Sequence, residues 1–392
     1  MVPEYYEWFC PVKILCGLKA LSNLPYEMDL LGARKAMIVT DAGVVEAGLS
    51  ARLKRVFEGS PATIGAVFDD VPPDSSVRVV NRAARLFNDT GCDCFVALGG
   101  GSCLDTAKCA NMMVTEGTDD LARFQGVERL NKRMKPFVAI PTTAGTGSEA
   151  TMIAIVYDET TETKMAFASN RLFPDVAILD PEMTVGMPPK LTAATGMDAL
   201  THAVEAYYCI QKNPVSDAFA ITAVKLIAEH LIPCVTDGKD RRHRLAMANA
   251  SLLAGISFSN SLVGVVHALA HACGSLCKIP HGVANTILLP VGMEHNLDKA
   301  GHFIAEMTPL LEPAVSHRAG ASHNAEAAVE AVCALRERLH ELTGIPLTLS
   351  DAGVPEDKLE AIARAALNDG SAVYNPEQID YADALSLLRK AF

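Results

Sequence analysis

The sequence lacks any basic segment long enough to attract a polyanion. Its 392 residues carry a formal net charge of −12, and an acidic chain has no electrostatic attraction for nucleic acid or an anionic membrane. The densest basic stretch, Asp240–Arg244, is short, and we interpret it as the solvated end of a helix. We therefore expect neither nucleic acid nor a membrane as a partner.

A secretory signal and a long apolar run are also missing. The first residues, Met-Val-Pro-Glu-Tyr-Tyr-Glu, contain neither a basic n-region nor an apolar h-region. No uninterrupted apolar stretch reaches the roughly 18 residues that span a bilayer. The eleven cysteines are odd in number and scattered, which is typical of reduced thiols rather than of a disulfide framework. We expect a cytoplasmic protein.

The first part of the chain has the pattern of an α/β domain. A chain of 392 residues is long for one hydrophobic core and fits two domains better. Short apolar runs alternate with helical patterns such as Val77–Asn88, as in a buried, largely parallel sheet. The predicted strands are Lys35–Thr40, Thr63–Phe68, Cys94–Leu98, Pro136–Ile140 and Val176–Leu179.

The pattern changes at about Leu191, after which strand-like runs nearly vanish. The prolines of Gly186-Met-Pro-Pro189 break any helix and mark the boundary. We predict an α/β, Rossmann-like dinucleotide-binding domain over residues 1–186 and an all-helical domain over 187–392. The predicted helices of the second domain are Leu191–Ile210, Ser216–Pro233, Arg241–Phe258, Leu262–Leu276, Asn324–Leu342 and Glu356–Leu367.

Two loops have the composition of a phosphate-binding site. Gly99, Gly100 and Gly101, followed by Ser102, come directly after a strand and open a helix, so backbone N–H groups can approach a pyrophosphate closely. Taken alone, such a turn is weak evidence for nucleotide binding, because many glycine-rich turns are only tight connectors. A second loop, Pro141–Glu149, also follows a strand and offers three threonine hydroxyls and one serine hydroxyl beside two glycines. Together the loops predict nucleotide binding.

Asp41 stands at the end of the strand Lys35–Thr40. A carboxylate in that place accepts hydrogen bonds from an adenosine ribose and repels a 2′-phosphate. Aspartate is also favoured as the N-cap of a helix. The residues alone leave both interpretations open.

Histidines and one aspartate recur at helical spacing in the second domain. Asp198 and His202 lie four residues apart, as do His267 and His271, and His281 follows closely. The spacing of four puts two side chains on one helix face, and several buried histidines without a shared purpose would be costly. Three imidazoles and one carboxylate suit Fe²⁺ or Zn²⁺, with a position left open for substrate oxygen. Spacing alone does not say which four of the five residues bind.

Taken in order, these motifs resemble those of the iron-containing (group III) alcohol dehydrogenase family. The resemblance spans about Asp41 to His281. The domain plan of the whole chain agrees with it, a two-domain architecture like that of dehydroquinate synthase. The matching segments are GGGS at 99–102 with Asp105 and Lys108, PTTAGTGSE at 141–149, GMDALTHAVEA at 196–206, VHALAH at 266–271 and PHG at 280–282.

The resemblance implies a divalent metal and assigns its ligands. Asp198, His202, His267 and His281 match the metal ligands of the family, with Fe²⁺ as the expected ion and Zn²⁺ as the alternative. His271 matches a non-ligand histidine near the nicotinamide and the substrate. We expect His271 to relay protons, because imidazole exchanges protons near neutral pH.

The resemblance also implies NAD as the cofactor. Asp41 matches the position that favours NAD over NADP, and Asp74 falls where many members have asparagine. The remaining positions that match cofactor-binding residues are Gly99, Gly100, Gly101, Ser102, Asp105, Thr142, Thr143, Thr146 and Lys164.

The expected activity is interconversion of a small primary alcohol and its aldehyde, in which the metal polarises the alcohol oxygen and hydride passes to NAD⁺. The family further implies a homodimer or a higher homo-oligomer. Three alternatives remain: a zinc-dependent glycerol dehydrogenase, a lyase similar to dehydroquinate synthase, and a non-catalytic binding or assembly protein. The apolar stretch Leu262–Val266 disfavours the lyase, because an anionic phosphorylated substrate needs several basic side chains.

Overall fold

The computed structural model describes residues 2–161, 163–311 and 324–392. These residues form two compact units, one of residues 9–187 and the other of residues 188–392 together with the N-terminal residues up to Trp8. The sequence predicts a first domain that begins at residue 1, whereas in the structure the residues up to Trp8 belong to the helical unit. The Trp8 ring stacks on Phe219, with centroids 5.4 Å apart, and this contact holds the N-terminal segment in the helical unit.

A parallel sheet forms the centre of the first unit. Its strands run in the order β1-β9-β6-β4-β2-β3, and every neighbouring pair is parallel. The five predicted strands are confirmed, and β1 adds an edge strand that was not predicted. The ranges are β1 Lys13–Cys16, β2 Lys35–Val39, β3 Thr63–Phe68, β4 Cys94–Gly99, β6 Phe137–Pro141 and β9 Val176–Leu179.

A smaller three-stranded sheet was missed by the sequence interpretation. It has the order β5-β8-β7, with β7 and β8 antiparallel. Its strands are β5 Gly126–Val127, β7 Ile153–Asp158 and β8 Thr163–Ala168. In β7 and β8 buried residues alternate with more exposed ones, so no continuous apolar run in the sequence predicts these strands.

Both faces of the parallel sheet are covered by helices. The helices of this unit are α1 Leu24–Leu30, α2 Ala42–Glu46, α3 Leu49–Arg55, α4 Val77–Thr90 and α5 Gly101–Glu116. Along β4, Phe95 packs in one hydrophobic cluster with α4 and α5, and Val96 packs in another with α1 and α3. Successive residues therefore enter different cores, which is why the strands read as continuous apolar runs.

The described residues of the second unit form helices joined by loops, without strands, as predicted. It adds α10, α11 and α14, which the periodicity did not reveal. The helices are α6 Pro189–Tyr208, α7 Pro214–Thr236, α8 Arg241–Ser261, α9 Val265–Cys277, α10 His281–His295, α11 Leu297–Leu311, α12 Ala325–Thr343, α13 Leu359–Ala366 and α14 Tyr381–Ala391. Short 3₁₀ helices occur at Ala20–Asn23, Leu121–Phe124, Ser148–Ala150, Pro181–Met183, Glu356–Lys358 and Gly370–Tyr374.

Local chemistry explains where several helices begin. Pro189 and Pro214 occupy the first turns of α6 and α7, where a missing N–H costs nothing. Asn213 caps α7 by accepting from the Val215 and Ser216 N–H groups. The predicted start of α9 at Leu262 was wrong because Leu262 has a φ of 68°, a left-handed conformation that ends α8 rather than beginning a helix.

Within the described residues, α7 is long and apolar enough to cross a membrane by length and composition. The bent pair of α8 and α9 would count as a second such segment. In the helical unit α7 packs against α6 and α8, and helices in the cores of soluble proteins have the same composition. Composition alone therefore does not make α7 a membrane helix.

Candidate metal centre and phosphate-binding loops

The order of the parallel sheet identifies one edge of the first unit as a binding edge. From β2 the chain moves outward to β3 and then returns to β4 on the other side of β2. In open α/β sheets, ligands bind at the carboxyl ends of the strands where the strand order reverses. Asp41 follows β2 and the glycine loop follows β4, so both lie at this reversal.

Packing in the glycine loop leaves no room for side chains. A Cβ on Gly99 would lie 2.4 Å from the Cys103 Sγ, and a Cβ on Gly101 would lie 2.8 Å from a methyl carbon of Thr146. The N-cap of α5 is Gly100, which provides no side-chain cap. The first backbone N–H groups of α5 are therefore available for an anion.

The threonine loop after β6 packs directly on the glycine loop. The Thr142 N–H donates to the Gly99 carbonyl at 3.0 Å, and the Thr143 side chain would lie 3.3 Å from a Cβ on Gly100. Thr142, Thr143 and Thr146 are therefore brought against the glycine residues, as the cofactor hypothesis requires.

Asp41 acts as the N-cap of α2. Its Oδ1 accepts from the Val44 N–H at 2.8 Å, and its Oδ2 accepts from the Cys103 thiol at 3.2 Å. The side chain is half-buried and lies beside Gly99, where a Cβ would be 3.5 Å from Oδ2. The capping role is thus real, and the carboxylate still stands next to the glycine loop.

Asp74 and Lys164 join the same edge through Ser102. The Asp74 N–H donates to the Ser102 Oγ at 3.2 Å, and the Lys164 Nζ donates to the Asp74 Oδ1 at 3.0 Å. Asp74 has a φ of 53°, and aspartate and asparagine are the residues other than glycine that most readily adopt this conformation. The same backbone requirement explains why either residue suits the position.

Asp105 and Lys108 lie behind the loops rather than at their surface. Asp105 is partly buried and accepts from the Ser148 Oγ at 2.7 Å and from the Ile155 N–H at 3.0 Å. Burial raises the pKa of Asp105 and lowers the pKa of Lys108 to about 8. Lys108 donates to the carbonyl oxygens of Thr151 and Ile153 at 2.9 and 2.8 Å. Both side chains hold the threonine loop in place.

Four side chains of the helical unit converge on one point. Asp198, His202, His267 and His281 each offer one donor atom, and these atoms lie within 4.8 Å of one another. Tetrahedral coordination with bonds of about 2.1 Å places donor atoms about 3.4 Å apart, so modest side-chain shifts would close the set around a cation. Asp198 and His202 lie one turn apart on α6, His267 belongs to α9, and His281 is the first residue of α10.

The chemistry of this donor set fits a divalent cation. Burial raises the pKa of Asp198, against the opposing effects of His202 and of Asn285. Burial also lowers the pKa of His267 well below its usual value, which keeps the imidazole neutral and able to bind a metal. A cation at this point would offset the cost of the buried Asp198 charge.

Neighbouring side chains hold the candidate ligands in place. The Asn285 Nδ2 donates to the Asp198 Oδ1 at 2.7 Å. The His202 ring stacks on Phe258, with centroids 4.3 Å apart. Glu205 accepts from the backbone of α9 and lies 2.5 Å from the His267 Nδ1. Burial raises the pKa of Glu205 to about 7, although several backbone N–H donors oppose the shift.

His271 lies beside the candidate ligands but outside their group. Its ring stacks on His281, with centroids 5.2 Å apart, and its Nδ1 lies 2.8 Å from the Asp369 Oδ2. Burial by itself would raise the pKa of Asp369, but His271 and the Ser371 N–H lower it to about 2. The residues alone had not distinguished His267 from His271, and the geometry now groups His267 with the others.

Three residues around this centre were missed by the sequence interpretation. Glu205 stands inside the segment at 196–206 that matched the family, on the same helix face as Asp198 and His202, so its position was a usable signal. Asn285 lies one turn after His281 and could have been found in the same way. Asp369 is 98 residues from its partner His271, and no local pattern reveals it.

Comparison with known proteins agrees with this geometry. The family model described as "Iron-containing alcohol dehydrogenase" matches residues 11–181, and that described as "Fe-containing alcohol dehydrogenase family, C-terminal" matches residues 192–392. The chain is 38% identical to the NAD-dependent methanol dehydrogenase of Bacillus methanolicus, over 98% of this chain and 99% of that protein.

Other relatives have different names but the same extent of similarity. The chain is 36% identical to the lactaldehyde reductase of Escherichia coli (strain K12), over 96% of this chain and 97% of that protein. A solved structure of 1,3-propanediol oxidoreductase superposes with a TM-score of 0.93 at 38% identity, over 99% of this chain and all of that one. These matches cover both units of the fold.

Proposed function

The chain belongs to the iron-containing alcohol dehydrogenase family, and from this premise we propose that it interconverts a small primary alcohol and its aldehyde. The family uses NAD and a divalent metal, typically iron. The observation that carries the proposal is the convergence of three imidazoles and one carboxylate in the helical unit. The names of the relatives support the substrate class, because methanol and 1,3-propanediol are both primary alcohols.

The proposed metal ligands are Asp198, His202, His267 and His281. When bound, the metal supplies a Lewis acid for the alcohol or aldehyde oxygen, and NAD supplies the hydride acceptor or donor. The protein contributes orientation: Asn285 fixes the carboxylate of Asp198, and Phe258 packs flat on the His202 ring. The apolar Phe258 ring beside a ligand favours a short and fairly apolar substrate.

The proposed cofactor site is the carboxyl edge of the parallel sheet. Its donors are the backbone N–H groups at the start of α5 and the hydroxyl groups of the threonine loop. Asp41 would accept from the adenosine ribose, and Asp74 with Lys164 would line the same edge. Asp105 supports the loop from behind. The residues proposed to contact or order the cofactor are Asp41, Asp74, Gly99, Gly100, Gly101, Ser102, Asp105, Thr142, Thr143, Thr146 and Lys164.

His271 is the proposed proton relay. Asp369 accepts a hydrogen bond from the Nδ1 of His271 at 2.8 Å, which leaves Nε2 to exchange a proton with substrate or solvent. Asp369 is itself held by the Ser371 N–H, which donates to Oδ1 at 2.8 Å. His271 is therefore oriented by a carboxylate rather than by a metal.

We also propose that the enzyme acts in the cytoplasm as a homodimer or a higher homo-oligomer, without nucleic acid or membrane partners. The acidic chain supports the absence of nucleic acid and membrane partners, and the free cysteines of the described residues support a reducing compartment. The oligomeric state is proposed from the family resemblance alone. Light scattering coupled to gel filtration measures the oligomeric state. A monomer at micromolar concentration would contradict it.

The activity is tested by an NADH absorbance screen of short aldehydes and alcohols on iron-reconstituted, anaerobic protein. We expect NADH consumption with unbranched aldehydes and a much weaker response with glycerol. His267→Ala, prepared in parallel, is the control and is expected to be inactive. A preference for glycerol would favour the polyol dehydrogenase alternative, and inactivity toward every alcohol and aldehyde would contradict the proposal.

A further inference from the structure

Glu205 lies behind the candidate metal ligands and is completely buried. It belongs to α6, three residues after His202, on the face that carries Asp198. Its Oε1 accepts from the Val266 N–H at 2.8 Å, and its Oε2 accepts from the His267 N–H at 3.3 Å and lies 2.5 Å from the His267 Nδ1. One carboxylate thus connects the helix of two candidate ligands with the ring of a third.

These contacts determine where the proton of His267 lies. Both oxygens of Glu205 already accept from backbone N–H groups, and a carboxylate can only accept hydrogen bonds. When Glu205 is ionised, the short contact to Nδ1 therefore requires a hydrogen on Nδ1. A neutral imidazole with its hydrogen on Nδ1 has its lone pair on Nε2, the nitrogen that lies 3.3 Å from the Asn285 Nδ2 at the candidate centre.

We propose that Glu205 is a positioning residue that holds His267 in the Nδ1–H tautomer, so that Nε2 faces the metal with its lone pair. This inference rests on the metal site of the proposed function, and it adds a residue outside the ligand set that prepares one ligand for binding. A carboxylate that accepts from the second nitrogen of a ligating histidine fixes its ring and tautomer and raises its basicity.

A purely structural role for Glu205 is the competing explanation. The N-cap of α9 is Gly264, which provides no side-chain cap, so Glu205 also satisfies the first N–H groups of that helix. Asn375 does the same at the neighbouring position, because its Oδ1 accepts from the Val265 N–H at 3.2 Å. Asn375 otherwise contacts Asn296 and Glu377. It caps α9 without bonding to the His267 ring, and it is the matched control.

The first measurement uses the wild-type, full-length protein without metal. Histidine labelled with ¹³C and ¹⁵N reports the tautomer through ring chemical shifts, at a pH of about 8.5 where ordinary histidines are neutral. His267→Asn identifies the signal. We expect hydrogen on Nδ1 of His267. Hydrogen on Nε2 in the wild-type protein would overturn the proposal, whether or not any variant folds.

The second measurement compares Glu205→Gln with Asn375→Ala. In Glu205→Gln the Val266 N–H, which makes the shorter of the two backbone contacts, should hold the glutamine oxygen. The amide nitrogen then faces Nδ1 and donates to it, so the hydrogen of His267 should move to Nε2, and Zn²⁺ binding should weaken about 10- to 100-fold. Asn375→Ala should lower the melting temperature while it leaves the tautomer and the Zn²⁺ affinity unchanged. Unchanged Zn²⁺ affinity in Glu205→Gln, or an equal loss in Asn375→Ala, would refute the proposal. Both readings are made without substrate or NAD, so they are separate from the outcome of the alcohol screen.

Discussion

At the scale of single residues, Asp41 performs a structural task and is proposed to perform a binding task. Its Oδ1 caps α2 through the Val44 N–H, while its Oδ2 lies beside the glycine loop. An N-cap aspartate replaced by glycine typically costs only a few tenths of a kcal/mol, because glycine adopts the cap conformation without strain. Glycine therefore removes the charge with little effect on the fold.

We predict that Asp41→Gly relaxes the preference for NAD over NADP. The wild-type carboxylate would repel the 2′-phosphate of NADP, and like-charge contacts cost several kcal/mol. The ratio of kcat/KM for the two cofactors should fall by at least about tenfold, since each factor of ten corresponds to about 1.4 kcal/mol. Steady-state kinetics with both cofactors measure it. Equal use of the two cofactors by the wild-type enzyme would show that Asp41 does not face the ribose.

His271 and His267 lie one turn apart on α9. We predict that replacing them has different effects on metal content and turnover. His267→Ala and His202→Ala should lose metal and all activity. His271→Ala should keep its metal and lose about 10²–10⁴-fold in turnover, the usual contribution of general acid–base assistance. Metal analysis of the purified variants separates the two effects. A metal-free His271→Ala protein would make His271 a ligand rather than a relay.

Much of the candidate centre follows from sequence because its residues are local. Helical spacing of four residues identifies two candidate pairs, Asp198 with His202 and His267 with His271. Which of these side chains come together at one point depends on how α6, α9 and α10 pack. Asp369 contacts His271 across 98 residues, so only the folded chain brings it there. Spacing alone did not distinguish His267 from His271; the family resemblance favoured His267 as the ligand, and the packing groups His267 with the other three candidate ligands.

At the scale of the elements, the candidate centre depends on how closely α10 approaches α6. A Cβ on Gly282 would lie 2.5 Å from the Ala194 carbonyl oxygen and 2.8 Å from its carbonyl carbon. These are backbone atoms of a buried helix, which cannot move aside as a side chain can. Gly282 follows His281 directly, so the approach of the two helices also sets the position of that histidine.

We predict that Gly282→Ala lowers both the free energy of unfolding and the metal affinity. Alanine is favoured over glycine in a helix by about 1 kcal/mol, but overpacking against rigid neighbours typically costs about 1–3 kcal/mol. Gly301→Ala in α11 is the matched control, because its Cβ would meet the Ala325 Cβ at an ordinary 3.8 Å. It should be neutral or stabilising. Urea unfolding measures the free energy of unfolding of both variants. Equal changes in the two would show that the close contact of Gly282 with α6 does not determine the stability.

The pairing of α7 and α8 should depend on pH. The Nδ1 atoms of His230 and His243 lie 2.8 Å apart, so one ring must be neutral to accept. Burial and the neighbouring His243 lower the pKa of His230, although Glu229 and Asp240 oppose the shift. A histidine whose folded pKa lies below its unfolded value stabilises the fold above that unfolded value, near 6.5, and this contribution is lost as the pH falls.

We therefore predict that the melting temperature falls as the pH is lowered from about 8 to about 5, through the unfolded pKa of histidine. His243→Asn should reduce this fall, because His230 then loses the neighbour that resists its protonation. Calorimetry at several pH values measures the difference in slope. The same slope in wild type and variant would show that other groups control the acid response.

The elements that the sequence did not predict have physical reasons in common. The strands β7 and β8 are partly exposed, so they lack the apolar runs that revealed the central strands. The helix α10 is apolar on nearly all sides and contains Pro290, a residue that usually interrupts a helix. Its almost continuous burial weakens the 3.6-residue periodicity from which helices are recognised.

At the scale of the whole molecule, the proposed binding sites for NAD and for the metal ion belong to different units. The phosphate-binding loops follow strands of the α/β unit, and the four candidate ligands belong to three helices of the other unit. Turnover requires both and so reports on the complete enzyme, whereas metal or NAD binding reports on one unit. This separation makes metal substitution informative, because it changes the helical unit alone.

The last prediction concerns which metal sustains turnover in the complete enzyme. The candidate ligands are three imidazoles and one carboxylate, and burial raises the pKa of Cys273 on α9 to about 12, so that thiol remains protonated and is a poor ligand. Without sulfur ligands the site has only the general order of affinities, in which Zn²⁺ exceeds Fe²⁺. Zinc should therefore bind well in vitro.

We predict that anaerobic Fe²⁺ reconstitution gives a higher kcat than Zn²⁺ at equal occupancy, and that air gradually inactivates the iron form. Metal analysis with stopped-flow NADH kinetics tests both statements, and a faster, oxygen-insensitive zinc enzyme would instead support the zinc-dependent polyol dehydrogenase alternative.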